Sequence, residues 1–143
     1  MAAIDLARSH IERCLQDVWD VDRVVPDADG DYCYRIGTAA CYFGLDGHEP
    51  VLVKAVACAV LGVKKSAKLL DEINAINQRC RSAHVYWDNG TVLVEQSLFA
   101  ETVDRASLSH AGQSVGHIAD DIGQMIVAVF GGRTPIDGVD LAG

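Results

Sequence analysis

The chain has 143 residues, is 50% hydrophobic and carries a formal net charge of −8. This length suits one domain with its own core, and the composition is that of a globular chain, not a disordered one. The balance of 20 acidic against 12 basic residues weighs against a duplex nucleic-acid binder and against attachment to an anionic membrane surface.

Ile4, Ala7, Ile11, Cys14, Leu15 and Val18 recur at helical spacing and predict an amphipathic helix over residues 2–19. Asp5, Arg8, Glu12 and Arg13 lie off that line. Residues 20–31, rich in Asp and holding Pro26, predict a polar loop with a short strand at Val24-Val25. Aromatic and β-branched residues predict strands over 32–37 and 39–45, bent apart at Gly37-Thr38. The turn formers of residues 46–50 follow. Residues 51–61 read as a third strand, whose positions Val51, Val53, Ala55, Ala57 and Ala59 are mostly small, so a helix can lie close to that face. Ser66 is placed to cap a helix over 67–80 with an inner stripe of Leu69, Leu70, Ile73, Ile76 and Cys80. Residues 83–87 and 91–98 alternate around Asp88-Asn89-Gly90, and Asn-Gly supplies the positive φ values of a tight hairpin turn. The last helix is predicted over 107–129, stopped by Gly131-Gly132, with residues 133–143 as a loose tail. Strands joined by short turns must pair antiparallel. The expected architecture is therefore one α+β domain over 1–132, in the order α-β-β-β-α-β-β-α.

Catalytic motifs are missing. The cysteines (Cys14, Cys33, Cys41, Cys58 and Cys80) form no CxxC pair and sit among apolar neighbours, so they read as small buried hydrophobes. Asp27-Ala28-Asp29-Gly30-Asp31 starts like a calcium loop. However, Tyr32 and Thr38 occupy the positions where an EF-hand needs Gly and Glu, so an acidic solvated turn is expected. His110, His117 and Asp121 share a face of the last helix without the paired spacing of a zinc protease, and read as solvated. His10, His48 and His84 have no evident partner. No nucleophile elbow and no glycine-rich phosphate loop is present. Lys64, Lys65, Lys68, Arg79 and Arg81 concentrate positive charge around the second helix: a solvated face, or an attraction for an acidic partner.

Gly112, Gly116, Ala119 and Gly123 form a small-residue stripe beside the apolar line of the last helix. Each interior glycine costs about 0.5–1 kcal/mol against alanine, which close approach of another backbone can offset. That backbone belongs either to the protein's own sheet or to a partner chain. The stripe is therefore a candidate partner-binding surface.

The stretch from Leu69 to Asn77 (LLDEINAIN), the hairpin through Trp87-Asp88-Asn89-Gly90-Thr91-Val92, and the end of the last helix at Phe130-Gly131-Gly132 resemble the YbjN family of bacterial sensory-transduction regulators. That family is similar in fold to type III secretion chaperones of the CesT kind. The resemblance is best over residues 66–132 and carries no catalytic residues. It implies a five-stranded antiparallel sheet with helices, homodimers, and binding of extended peptides at a sheet edge flanked by apolar pockets. Tyr32, Tyr34, Tyr42 and Phe43 lie on the first two strands, and part of this aromatic set is expected at the surface as a peptide contact.

The sequence thus predicts a non-enzymatic, homodimeric peptide- or protein-binding module in the cytoplasm. No metal, cofactor, nucleic-acid or membrane partner is expected. The alternatives are a small-ligand sensor with a pocket between the last helix and the sheet, and a small cysteine-dependent enzyme.

Overall fold

A computed structural model describes residues 3–136. The element order is α1 (Ala3–Trp19), β1 (Tyr32–Ile36), β2 (Ala39–Asp46), β3 (Leu52–Val60), α2 (Ala67–Arg79), β4 (His84–Asp88), β5 (Thr91–Phe99) and α3 (Arg105–Phe130). The five strands form one antiparallel sheet in the spatial order β1-β2-β3-β5-β4. The predicted order and fold class hold.

Local chemistry sets the boundaries. The Ser66 hydroxyl accepts from the Leu69 N–H at 3.1 Å and starts α2. The last helix begins two residues earlier than its apolar spacing suggests. Asp104 caps it by accepting from the Ser107 N–H, while the Ser107 hydroxyl accepts from the Asp104 N–H, a reciprocal box. Asn89 and Gly90 take the positive φ values that the β4–β5 turn requires. The strand expected at Val24-Val25 does not form: Val24 is buried, Val25 is exposed, and neither joins the sheet. Residues 133–136 are tied down. Arg133 pairs with Leu61, and the Ile136 N–H donates to the Thr38 carbonyl. The rest of the expected tail lies outside the described residues.

Among the described residues, all three helices lie on one face of the sheet. Tyr34, Cys41, Ala57, Val94 and Val85 form a cross-strand row on that face. They pack with Leu15 of α1, Ile73 and Ile76 of α2, and Leu108, Val115, Ala119 and Ile126 of α3. The neighbouring row, Cys33, Tyr42, Val56, Glu95 and His84, points the other way. Val56 is 2% exposed yet stands apart from the main core, so cross-strand neighbours shield it.

Candidate functional site

The glycine stripe faces the protein's own sheet. Gly112, Gly116, Ala119 and Gly123 are all buried. A Cβ on Gly123 would stand 2.6 Å from the Ala59 carbonyl oxygen. One on Gly116 would run into the Ile36 side chain, and one on Gly112 into Phe43 and the Tyr34 hydroxyl. The expectation that this stripe meets a partner is corrected: α3 uses it to lie close on β1–β3, where the small residues of β3 leave room.

The aromatic set divides. Tyr32 is 1% and Phe43 2% exposed, so neither offers a surface. Tyr34 is half-buried, donates to the Gly112 carbonyl at 2.7 Å, and packs with Phe43 and Trp19 at ring separations of 5.1 and 5.9 Å. Burial raises its pKa far above the ordinary range. Only Tyr42 stands on the helix-free face, half-exposed, its pKa raised by burial and then by Asp31 and Glu95. The reason is strand alternation, which sends Tyr32, Tyr34 and Phe43 inward and Tyr42 outward.

The two sheet edges differ. Asn77 of α2 accepts from the Val85 N–H at 2.8 Å and donates to the Val85 carbonyl at 2.9 Å, so one side chain occupies the outward backbone groups at the middle of β4. At the other edge no such cover exists among the described residues. The β1–β2 hairpin closes on Ile36 and Ala39, as the β4–β5 hairpin closes on Asp88 and Thr91. By the same alternation, Cys33 and Arg35 of β1 direct their N–H and C=O groups outward. Both residues are exposed, and among the described residues no backbone group outside the sheet pairs with them.

An apolar groove of about 400 Å³ lies between α1, the β2–β3 turn and the end of β5. Leu6 and Phe99, each 58% exposed, project beside Ala7, Pro50 and Val51. His10 lines it, with Nε2 2.6 Å from the Val103 carbonyl. Glu49 and Glu101 make the rim acidic. Sequence reading missed this groove; its one signal is Leu6, an apolar residue off the apolar line of α1.

The other candidates stay apart. His110, His117 and Asp121 are exposed. His48 and His84 turn out to pair with Asp46 at 2.6 Å and Glu95 at 3.2 Å. Oxygens of Asp27, Asp29 and Asp31 lie within 4.8 Å of one another. Asp27 accepts from the Asp31 N–H, the Cys33 thiol and the Asp29 N–H, which makes this a self-bonded turn and holds the Asp27 carboxyl below its usual value. The cysteines are less uniformly buried than expected. Cys14 and Cys41 are buried, Cys58 and Cys80 half-buried, and Cys33 is exposed because it falls on the outward face of β1. Burial is the leading cause that pushes the Cys41 thiol up to about 11 and raises Cys14, Cys33 and Cys58. None of these four is poised as a thiolate nucleophile. No helix among the described residues is long and apolar enough to cross a membrane.

A family model described as "T3SS (YopN, CesT) and YbjN peptide-binding chaperone 1" matches residues 5–138. Among solved structures, a chain of the ExsC–ExsE complex aligns with a TM-score of 0.67 and 10% identity, over 87% of this chain and 96% of the other. A chain of the HopA1–SchA chaperone–effector complex aligns at 0.63 and 13% identity, over 84% and 97%. At these identities the two structures establish the fold alone. No curated protein matches by sequence.

Proposed function

The chain belongs to the family of type III secretion and YbjN peptide-binding chaperones, and on that premise we propose that it holds an extended segment of a client protein as an added strand on β1. The observation that carries this reading is the contrast between the edges: Asn77 seals the middle of β4, and no described residue's backbone pairs with the outward groups of β1. An edge strand with free backbone groups gives affinity without demanding a particular client sequence, and nearby apolar surface selects the side chains. Tyr42 on the helix-free face and the Leu6–Phe99 groove supply such surface. The raised pKa values of the Cys14, Cys33, Cys41 and Cys58 thiols support a binding role over a cysteine-dependent enzyme.

The working form in this proposal is a homodimer in the cytoplasm. The helix-free face, with Tyr42, Cys58, Leu93 and Tyr86 half-exposed around buried Val56, is the surface a second copy would cover. Sedimentation at high micromolar concentration tests it; a persistent 15.3 kDa monomer refutes the dimer.

Affinity capture from the native cell, followed by the same capture with Arg35→Pro, tests the strand-addition reading. Proline removes the outward N–H of an edge strand without removing a ladder bond. Loss of the captured client, with slowed amide exchange at Cys33 and Arg35 in the wild-type complex, is expected. Capture unchanged by Arg35→Pro, with no protection of β1, refutes the reading.

A further inference from the structure

Positive charge in this acidic chain is concentrated in residues 64–81, along α2 and just beyond its ends. Residues 64–81 hold five of the twelve Lys and Arg residues and only two of the twenty acidic ones, Asp71 and Glu72. Lys64, Lys65, Lys68, Arg79 and Arg81 are all exposed. Among the described residues none of the five enters a salt bridge; the cationic side chains that do are Lys54 and two histidines. Lys65 lies over the Trp87 ring, 5.9 Å from its centroid, but cations without a carboxylate partner on one segment of a −8 molecule are an attractive field for an acidic ligand.

Between the C-terminal end of α2 and α3 runs an open groove of about 860 Å³. Ile76 and Ile118 give it an apolar floor, Arg79 and Arg81 stand on its α2 side, and Asp121 stands on its α3 side. We propose that this groove docks an acidic segment of a partner protein. An apolar side chain of that segment rests on Ile76 and Ile118, and its carboxylates pair with Arg79 and Arg81. Guanidinium and carboxylate match as charge-assisted, two-point hydrogen-bond partners. Asp121 repels a carboxylate from the α3 wall and so fixes which edge of the segment is acidic. Lys64, Lys65 and Lys68 add attraction during approach.

The same features disfavour other occupants. Pairing with a second copy would bring together two segments that each hold five cations and two carboxylates, a net like-charge approach. The groove lining contains no aromatic ring on which bases could stack, as single-stranded nucleic acid prefers. The site lies apart from the β1 edge, so it stands or falls independently of the strand-addition reading.

Fluorescence anisotropy tests it on the full chain with three labelled probes: a Glu-rich peptide carrying one Leu, its Lys-rich counterpart, and a short oligothymidine. The Glu-rich probe is expected to bind, more weakly as salt rises. The double variant R79E/R81E is expected to weaken it by about tenfold or more. Both arginines are exposed, and circular dichroism checks that the variant folds. Ile118→Gln weakens it as well. Equal binding of the Lys-rich probe, preference for oligothymidine, or indifference to R79E/R81E overturns the proposal. So does loss of self-association in R79E/R81E without any probe binding in the wild type, which would make a second copy the occupant.

Discussion

Replacing Gly123 by alanine sets two opposing effects against each other, and the structure decides the sign. Alanine relieves the glycine cost in a helix interior, a gain of about 0.5–1 kcal/mol. The added Cβ, however, would stand 2.6 Å from the backbone carbonyl oxygen of Ala59. A backbone atom in a central strand cannot swing aside as a side-chain tip can, so α3 must lift from the sheet. Overpacking of this kind costs about 1–3 kcal/mol. The net expectation is a loss of about 1–2 kcal/mol, or a fall in Tm of several degrees for a chain of this size. Gly116 is the internal comparison. Its added Cβ meets the Ile36 side chain from Cδ1 back to Cβ at 3.1 Å; rotation moves Cδ1 aside but not Cβ, so Gly116→Ala should cost less than Gly123→Ala without being neutral. Thermal and urea unfolding of the two variants beside the wild type measures both. A more stable Gly123→Ala protein would refute the close packing of α3 on β3 and return the stripe to the role of a partner surface.

Further outcomes follow from other contacts. Asn77→Ala removes two hydrogen bonds to Val85 and should cost about 1–3 kcal/mol in urea unfolding; Asn77→Asp keeps the acceptor for the Val85 N–H but sets an oxygen against the Val85 carbonyl, and should also destabilise. Asp104 caps α3, and bonds from the Ser107 N–H and hydroxyl hold its carboxyl below the ordinary 3.8. Its stabilising effect is present above that unfolded value and lost as pH falls through the depressed folded one. Asp104→Asn, which can still cap, should flatten the Tm decline below about pH 4; an unchanged slope would contradict this. A thiol reagent near neutral pH should label Cys33 first, and Cys14 and Cys41 only on unfolding; early labelling of Cys41 would show that the sheet–α3 core opens readily.

How much was legible in the sequence follows from how local each signal is. Element order, strand pairing and the Asn89-Gly90 turn depend on periodicity and neighbouring residues, and were readable directly. So was the small-residue stripe of α3, although not what it meets, because a missing Cβ marks close approach without saying to whom. Tertiary structure answered that by laying Gly123 against Ala59, a contact between residues far apart in the chain. It also divided the aromatic set. Composition placed Tyr32, Tyr34, Tyr42 and Phe43 on two strands; only the side of the sheet that the helices cover decided that Tyr42 alone faces outward. The contrast between the β1 and β4 edges was the least legible feature. Nothing near Asn77 in the sequence announces that its amide closes on Val85, since that bond exists only once α2 folds back along β4. Sequence fixes what each segment can form, but which backbone edge stays open depends on where the segments pack.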